Sequence, residues 1–153
     1  MKPILLLITL FITLQGFSQA TVKLVNPPAL ATPKGYSHAA VIDLGTARMI
    51  MMSGQVALDK QGTLIGKDDL EKQTEQVFRN IKSIVEANGG TMENIVKLGY
   101  FITDVSKISV VRTVRDRFIN TQHPPTSTLV EVSKLFRDDI MIEIEATAVI
   151  PVK

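Results

Sequence analysis

The chain has no cysteine, which removes disulfides, thiolate metal sites and a cysteine nucleophile together. It has no tryptophan and only two tyrosines and six phenylalanines, too few for the stacking platform that holds single-stranded nucleic acid. Its two histidines, His38 and His123, lack a partner at the H-x-x-x-H spacing that puts two imidazoles on one helix face. No metal is expected. Neither G-x-G-x-x-G nor G-K-[ST] occurs, so nucleotide phosphates find no glycine cradle and no cofactor is expected. An excess of one charge is also missing. Seventeen basic residues, one of them Lys2, face fifteen acidic ones, which argues against a nucleic-acid partner.

A run of about 20 apolar residues, the length of a membrane span, is absent too. What stands at the start is shorter. Lys2 gives a positive beginning, Ile4 to Leu14 an apolar run broken mainly by threonine, and Ser18-Gln19-Ala20 small residues at cleavage spacing. This predicts a signal peptide over 1–20 and a single domain over 21–153, exported to the periplasm or secreted, with no stable membrane insertion after cleavage. A retained anchor is the competing reading. Without a cysteine after the run, a lipid anchor is excluded.

Within the domain, Val22 to Val25 fits a short strand stopped by Asn26-Pro27-Pro28. Ser37 to Asp43 and Met49 to Val56 read as a hairpin across Leu44-Gly45-Thr46-Ala47. A helix is predicted from an Asp68 N-cap, with Glu71 completing a capping box. Its apolar stripe is Leu70, Thr74, Val77, Phe78, Ile81, Ile84 and Val85, and Asn88-Gly89-Gly90 ends it. Asn94 to Thr103 is a strand dense in β-branched and aromatic residues. Asp104 and Ser106 compete to cap a second helix, Ile108 to about Thr121, with Ile108, Val111, Val114 or Arg115, and Phe118 facing inward. Pro124-Pro125 stops it.

The last third carries two strand-like runs joined by a short charged turn. In the second, Ile140, Ile142, Ile144, Ala146, Ala148 and Ile150 share one face; Met141, Glu143, Glu145, Thr147 and Val149 share the other. The first face suits a core. The second holds two carboxylates at mid-strand, where ionised groups need water or a partner. The whole order is β-β-β-α-β-α-β-β. It predicts an α+β fold, a mainly antiparallel mixed sheet with both helices on one face. The uncovered face includes Val130, Val132, Met141 and Val149 in some registers, too apolar to stay wet, which calls for an oligomer.

G-Y-S-H-A at Gly35–Ala39, S-G-Q at Ser53–Gln55, V-E-V at Val130–Val132 and I-E-I-E-A at Ile142–Ala146 occur in family order. Together they resemble the Rid family of reactive intermediate deaminases, the YjgF type, over nearly everything after the leader. The resemblance implies a homotrimer with sites in clefts between subunits, and cofactor-free hydrolysis of small enamines and imines to a carbonyl and ammonia. One position departs. Archetypal members carry arginine three residues before V-E-V, credited with holding the carboxylate of a 2-imino acid; here that position is Ser127. A neutral hydroxyl cannot make the two-pronged, charge-assisted pair of a guanidinium. Weak or absent activity on 2-aminoacrylate follows.

The resemblance makes Glu143 the residue that activates the attacking water; otherwise it is a solvated strand-face glutamate. Glu145 reads as structural. Tyr36, Ser53 and Gly54 line the cleft, Gly54 letting backbone N–H groups approach substrate; the alternatives are a packed boundary tyrosine and a turn serine. Ser127 and Thr128, with Thr126, form a hydroxyl-rich pocket floor or only cap strand hydrogen bonds. Arg112, with Arg115 a turn away, offers a replacement cation, against a solvated helix face. The competing function is a trimeric protein that binds a small metabolite without catalysis. Endoribonuclease activity, known among relatives, is opposed by the balanced charge.

Overall fold

The computed structural model describes residues 21–152, so the leader expected over residues 1–20 lies outside the described residues. Six strands make one sheet: β1 (Val22–Val25), β2 (Ala39–Asp43), β3 (Ala47–Gln55), β4 (Ile95–Ile102), β5 (Thr126–Glu131) and β6 (Ile142–Pro151). The spatial order is β1-β2-β3-β6-β4-β5. Every pairing is antiparallel except β4 with β5. Two helices, α1 (Leu70–Ala87) and α2 (Ile108–Arg115), share one core with the sheet. The expected α+β layout is what the chain adopts. Among the described residues no helix is long and apolar enough to cross a membrane.

The alternation in β6 sorts as predicted: Ile142, Ile144, Ala146, Ala148 and Ile150 are buried, while the residues between them are not. Its place in the sheet differs from a strand simply joined to β5 by a turn. β6 lies between β3 and β4, and β5 is an edge strand beyond β4. Periodicity fixes which face a strand buries but carries no information on which strand lies beside it.

The predicted stripe of α1 is buried in full, joined by Gln73 and Asn80. The helix begins one residue later than predicted. Asp69 is the N-cap, its carboxylate accepting from Lys72 N at 3.0 Å, whereas Asp68 sits at φ 58°, a conformation a short polar side chain tolerates. The capping box with Glu71 is therefore not made, and Glu71 instead pairs with Arg117 at 2.7 Å. α2 stops at Arg115 rather than near Thr121. The Asn120 side chain accepts the N–H groups of Gln122 and His123, and this local turn competes with helix continuation. Phe118 still packs inward, stacked on Phe78 with centroids 5.2 Å apart.

The two buried amides of α1 hold loops that reach the site. Asn80 Nδ2 donates to the carbonyls of Val56 and Leu58 at 3.0 and 2.9 Å. Gln73 donates to Gly66 O and Asp139 O and accepts from Met141 N at 2.8 Å. Replacing Gln73, fully buried, by leucine strands three backbone groups, Asp139 O and Met141 N at the entry to β6 and Gly66 O in the loop before α1. Gln73→Leu is expected to destabilise the protein by about 3 kcal/mol, seen as a lower urea midpoint at unchanged slope. A midpoint equal to wild type would remove this account of the β6 entry.

Candidate functional site

The pairings of β6 carry two register shifts, one toward β4 between Ile95 and Lys97 and one toward β3, and the second coincides with a group of candidate site residues. β3 and β6 pair regularly as far as Met52 with Ala146, and the next pair is Gln55 with Ile144, so the register shifts across Ser53 and Gly54. Such a bulge bends its strand and re-aims side chains. Here it opens beside Glu143. A Cβ built on Gly54 would overlap Glu143 Oε1 and lie 2.6 Å from Cδ and 2.8 Å from Cγ. The space that Gly54 leaves is thus filled by the carboxylate, not by a backbone approach to substrate as the sequence suggested.

Glu143 is half-buried, and its pKa is raised, first by burial and then by the charge of Glu145. Neither cause is a cation or a hydrogen bond, so the carboxylate is held free to exchange a proton with a water. Glu145 stands over Gly99, whose own Cβ would fall 2.7 Å from its Cγ. Its charge is the second cause of the raised Glu143 pKa.

Tyr36, Ser53, Gly54 and Glu143 line one cavity of about 770 Å³. The Tyr36 phenol is raised in pKa by burial and by Glu143, and so remains a neutral donor at physiological pH. Its ring meets His38 edge-on at 5.4 Å. Ser53 Oγ donates to Ser37 O at 2.6 Å and Ser53 N donates to His38 O at 3.0 Å, tying the bulge to the Gly-Tyr segment. The serine proton is committed there, leaving its oxygen as an acceptor toward the cavity. Val56, Leu58 and Phe136 give the cavity its apolar wall, and Lys34 and Lys60 bring cations to its lining. These last three were missed. Phe136 is 67% exposed and the lysines lie in loops, so no period marked them.

The remaining sequence candidates are elsewhere. Thr128 pairs with Gly99 on the uncovered face of the sheet. Ser127 pairs with Leu98 and lines a second cavity, of about 380 Å³, with Tyr100, Arg115 and Asp116. Arg112 is exposed and lines neither cavity. The guanidinium that shares a cavity with Ser127, the position of the missing arginine, is that of Arg115. One helical turn decides this: α2 buries Val111 and Val114, which rolls Arg112 outward and Arg115 toward β5. The uncovered face carries Leu24 at 65%, Met51 at 51% and Val130 at 41% exposure; Val132 and Val149 are only partly exposed, and Met141, expected on this face, packs against the core instead.

Comparison with known proteins gives one consistent result. The family model described as Endoribonuclease L-PSP matches residues 27–150. A 2-iminobutanoate/2-iminopropanoate deaminase of Salmonella typhimurium is 34% identical over 132 residues, 84% of this chain and 96% of that protein. The Rid family protein YyfA of Yersinia pestis superposes with a TM-score of 0.75 at 30% identity, covering 86% of this chain and 100% of that one. TdcF of E. coli, solved with bound serine, superposes with a TM-score of 0.68 at 30% identity over 82% and 96% of the two chains.

Proposed function

The chain belongs to the Rid family, the family of the Endoribonuclease L-PSP model, and on that premise we propose that it is a cofactor-independent hydrolase of small imines and enamines. One observation carries the reading: a carboxylate with a raised pKa, without an ion-pair partner among the described residues, seated in a gap that a bulge and a glycine keep for it. Water beside Glu143 loses a proton to the carboxylate as its oxygen adds to the imine carbon. The proton on Glu143 passes to the nitrogen to give a neutral carbinolamine; a second proton from solvent makes that nitrogen a leaving group, ammonia departs as the C–N bond breaks, and the hydroxyl releases its proton to leave a carbonyl. Tyr36 donates a hydrogen bond to a polar group of the substrate, while Val56, Leu58 and Phe136 take its apolar part.

We place the working site between copies of the chain. The exposed apolar residues Leu24, Met51 and Val130 on the uncovered face support a homotrimer, the assembly the family resemblance implies. In such an assembly the β5 edge of one copy is free to complete the Glu143 cleft of the next. Export, through the leader outside the described residues, remains part of this proposal. The similar Salmonella deaminase, named for 2-imino acids, supports the reaction class.

The test is ammonia release from enzymatically generated 2-aminoacrylate and from imines of larger 2-oxo acids. Turnover of at least one imine is the expected result, with 2-aminoacrylate slower than in an arginine-bearing relative because Ser127 supplies no charge. Ligand-induced thermal stabilisation with no ammonia from any imine would instead support a pure binding protein.

The pH profile should identify the base. Turnover rises with pH as Glu143 ionises, so the acid limb is expected above the ordinary carboxylate range. Glu145 contributes to that displacement, hence Glu145→Gln should move the limb toward lower pH. A limb that stays put in that variant would leave burial as the sole cause, and an acid limb that persists in the residual turnover of Glu143→Gln would rule out Glu143 as the titrating group.

A further inference from the structure

The Glu143 cavity holds more than a three-carbon imine would need. Its volume, about 770 Å³, falls in the range of pockets that enclose much larger ligands. Lys34 and Lys60 lie in its lining, and proton transfer by Glu143 leaves both without a task. Among the described residues neither lysine takes part in an ion pair, and Glu143 is the only acid in that lining. Burial and Glu145, not a lysine, are the causes of its raised pKa. The lysines therefore stand apart from the carboxylate: one part of the wall exchanges protons and another carries positive charge.

The loop that carries Lys60 is fastened. Leu58 and Leu64 bridge across it, Asp59 N donates to Thr63 O at 3.0 Å, and Gly62 N donates to Asp59 O at 2.9 Å. Gly62 turns the tip at φ 80°, a conformation that a side chain would strain. The Asp59 carboxylate accepts the N–H groups of Gln61 and Thr63 at 2.9 and 2.8 Å. The acid next to Lys60 in the chain is thus engaged by backbone and leaves the ammonium unpaired. At the root of the loop, Asn80 holds the carbonyls of Val56 and Leu58. Lys34 arrives independently, from the segment that leads through Gly35 to Tyr36.

We propose that the preferred imines are those whose aliphatic side chain ends in a carboxylate, with Lys34 and Lys60 as the cations that select it. The apolar part of the wall, Val56, Leu58 and Phe136, decides between this and a compact anion. A compact anion would leave those side chains against water, whereas a hydrocarbon chain ending in a charge matches both kinds of lining. Lysine suits the selection, being a flexible point charge that favours an anion without demanding one fixed geometry. The proposal rests on the deaminase reading for the imine end of the substrate and adds the charge at the other end.

The experiment compares protein-dependent ammonia release from 2-iminoglutarate and 2-iminohexanoate, generated in place from glutamate and norleucine by amino-acid oxidases. The chains are similar in length; one ends in a carboxylate and the other in a methyl group. The acidic imine is expected to show about ten-fold higher kcat/KM, a preference that shrinks as salt is raised. In a Lys34→Gln/Lys60→Gln double variant the preference should disappear through KM, with 2-iminohexanoate turned over as in wild type. Lys82→Gln, at an exposed position of α1, should change neither rate. Lys34 and Lys60 are themselves exposed, so the double variant is expected to fold. Equal kcat/KM for the two imines, or a preference that survives in the double variant, would overturn the proposal and leave the deaminase reading standing. If neither imine is hydrolysed, the deaminase reading is lost and binding decides. Glutarate should then stabilise wild type against heat more than hexanoate does, and lose that advantage in the double variant. No such advantage in wild type, or one retained in the double variant, overturns the proposal too.

Discussion

Glu143→Gln is expected to lower imine turnover by about 10²–10⁴-fold while raising, not lowering, resistance to unfolding. The two effects have one cause. The folded protein holds this carboxylate partly buried and next to Glu145, an arrangement that penalises its charged form. Its folded pKa therefore exceeds its unfolded one. Between those two values the folded state binds the extra proton, so stability falls as pH rises through that window, and the loss persists at neutral pH. An amide of the same shape carries no charge and avoids the penalty. Activity and stability thus move in opposite directions at a single position, as at other sites built around a disfavoured charge. The measurement is paired: ammonia release at neutral pH, and thermal unfolding across pH. A variant that loses activity together with its stability would mean that the substitution disturbed the fold, and the assignment of Glu143 as base would lose its support.

Gly54→Ala is the second large effect, and it acts without touching any group that does chemistry. No positive φ constrains Gly54, so the backbone accepts a side chain. The obstacle is Glu143, whose carboxylate and Cγ lie where the methyl would go. That obstacle is the end of a flexible side chain, so folding should survive with a modest loss of stability. The carboxylate, however, must swing aside, and a misplacement on the order of 1 Å costs about 10²-fold in rate. The decisive form is a cycle with Glu143→Gln. If glycine serves only to seat the carboxylate, the double variant should be no slower than Glu143→Gln alone. Additive losses would show that Gly54 contacts substrate directly, the role the sequence first suggested.

Much of the fold was legible because it is written in local periods. The stripe of α1 and the alternation of β6 are buried as read, and the β2–β3 hairpin stands between Asp43 and Ala47. Each depends on residues two to four apart. What escaped depends on distant partners. The insertion of β6 between β3 and β4 is decided by packing across the sheet, where β5 and β6 offer similar apolar patterns. The start of α1 turned on a choice between Asp68 and Asp69, chemically equal and separated only by backbone conformation.

The site divides along the same line. Tyr36, Ser53, Gly54 and Glu143 were found through family motifs, and the structure collects them around one cavity. Arg112 was chosen over Arg115 by sequence position alone. The burial of Val111 and Val114 reverses that choice. Lys34, Lys60 and Phe136 come from loops whose approach to the cavity follows from tertiary structure, and no neighbouring residue announces it.

The shifted register of β3 has a further meaning. Between Met52 and Gln55 the strand spends three steps where β6 spends two, so β3 contains one residue for which no neighbour has a place. Deleting Gly54 would leave Ser53 opposite Glu145 and Gln55 opposite Ile144, an unbroken ladder with every inward side chain still inward. A more regular sheet is thus one codon away from this protein, and what it would lack is the recess that keeps an acid out of water's full reach. The supernumerary residue serves the seat of one carboxylate rather than the regularity of the sheet.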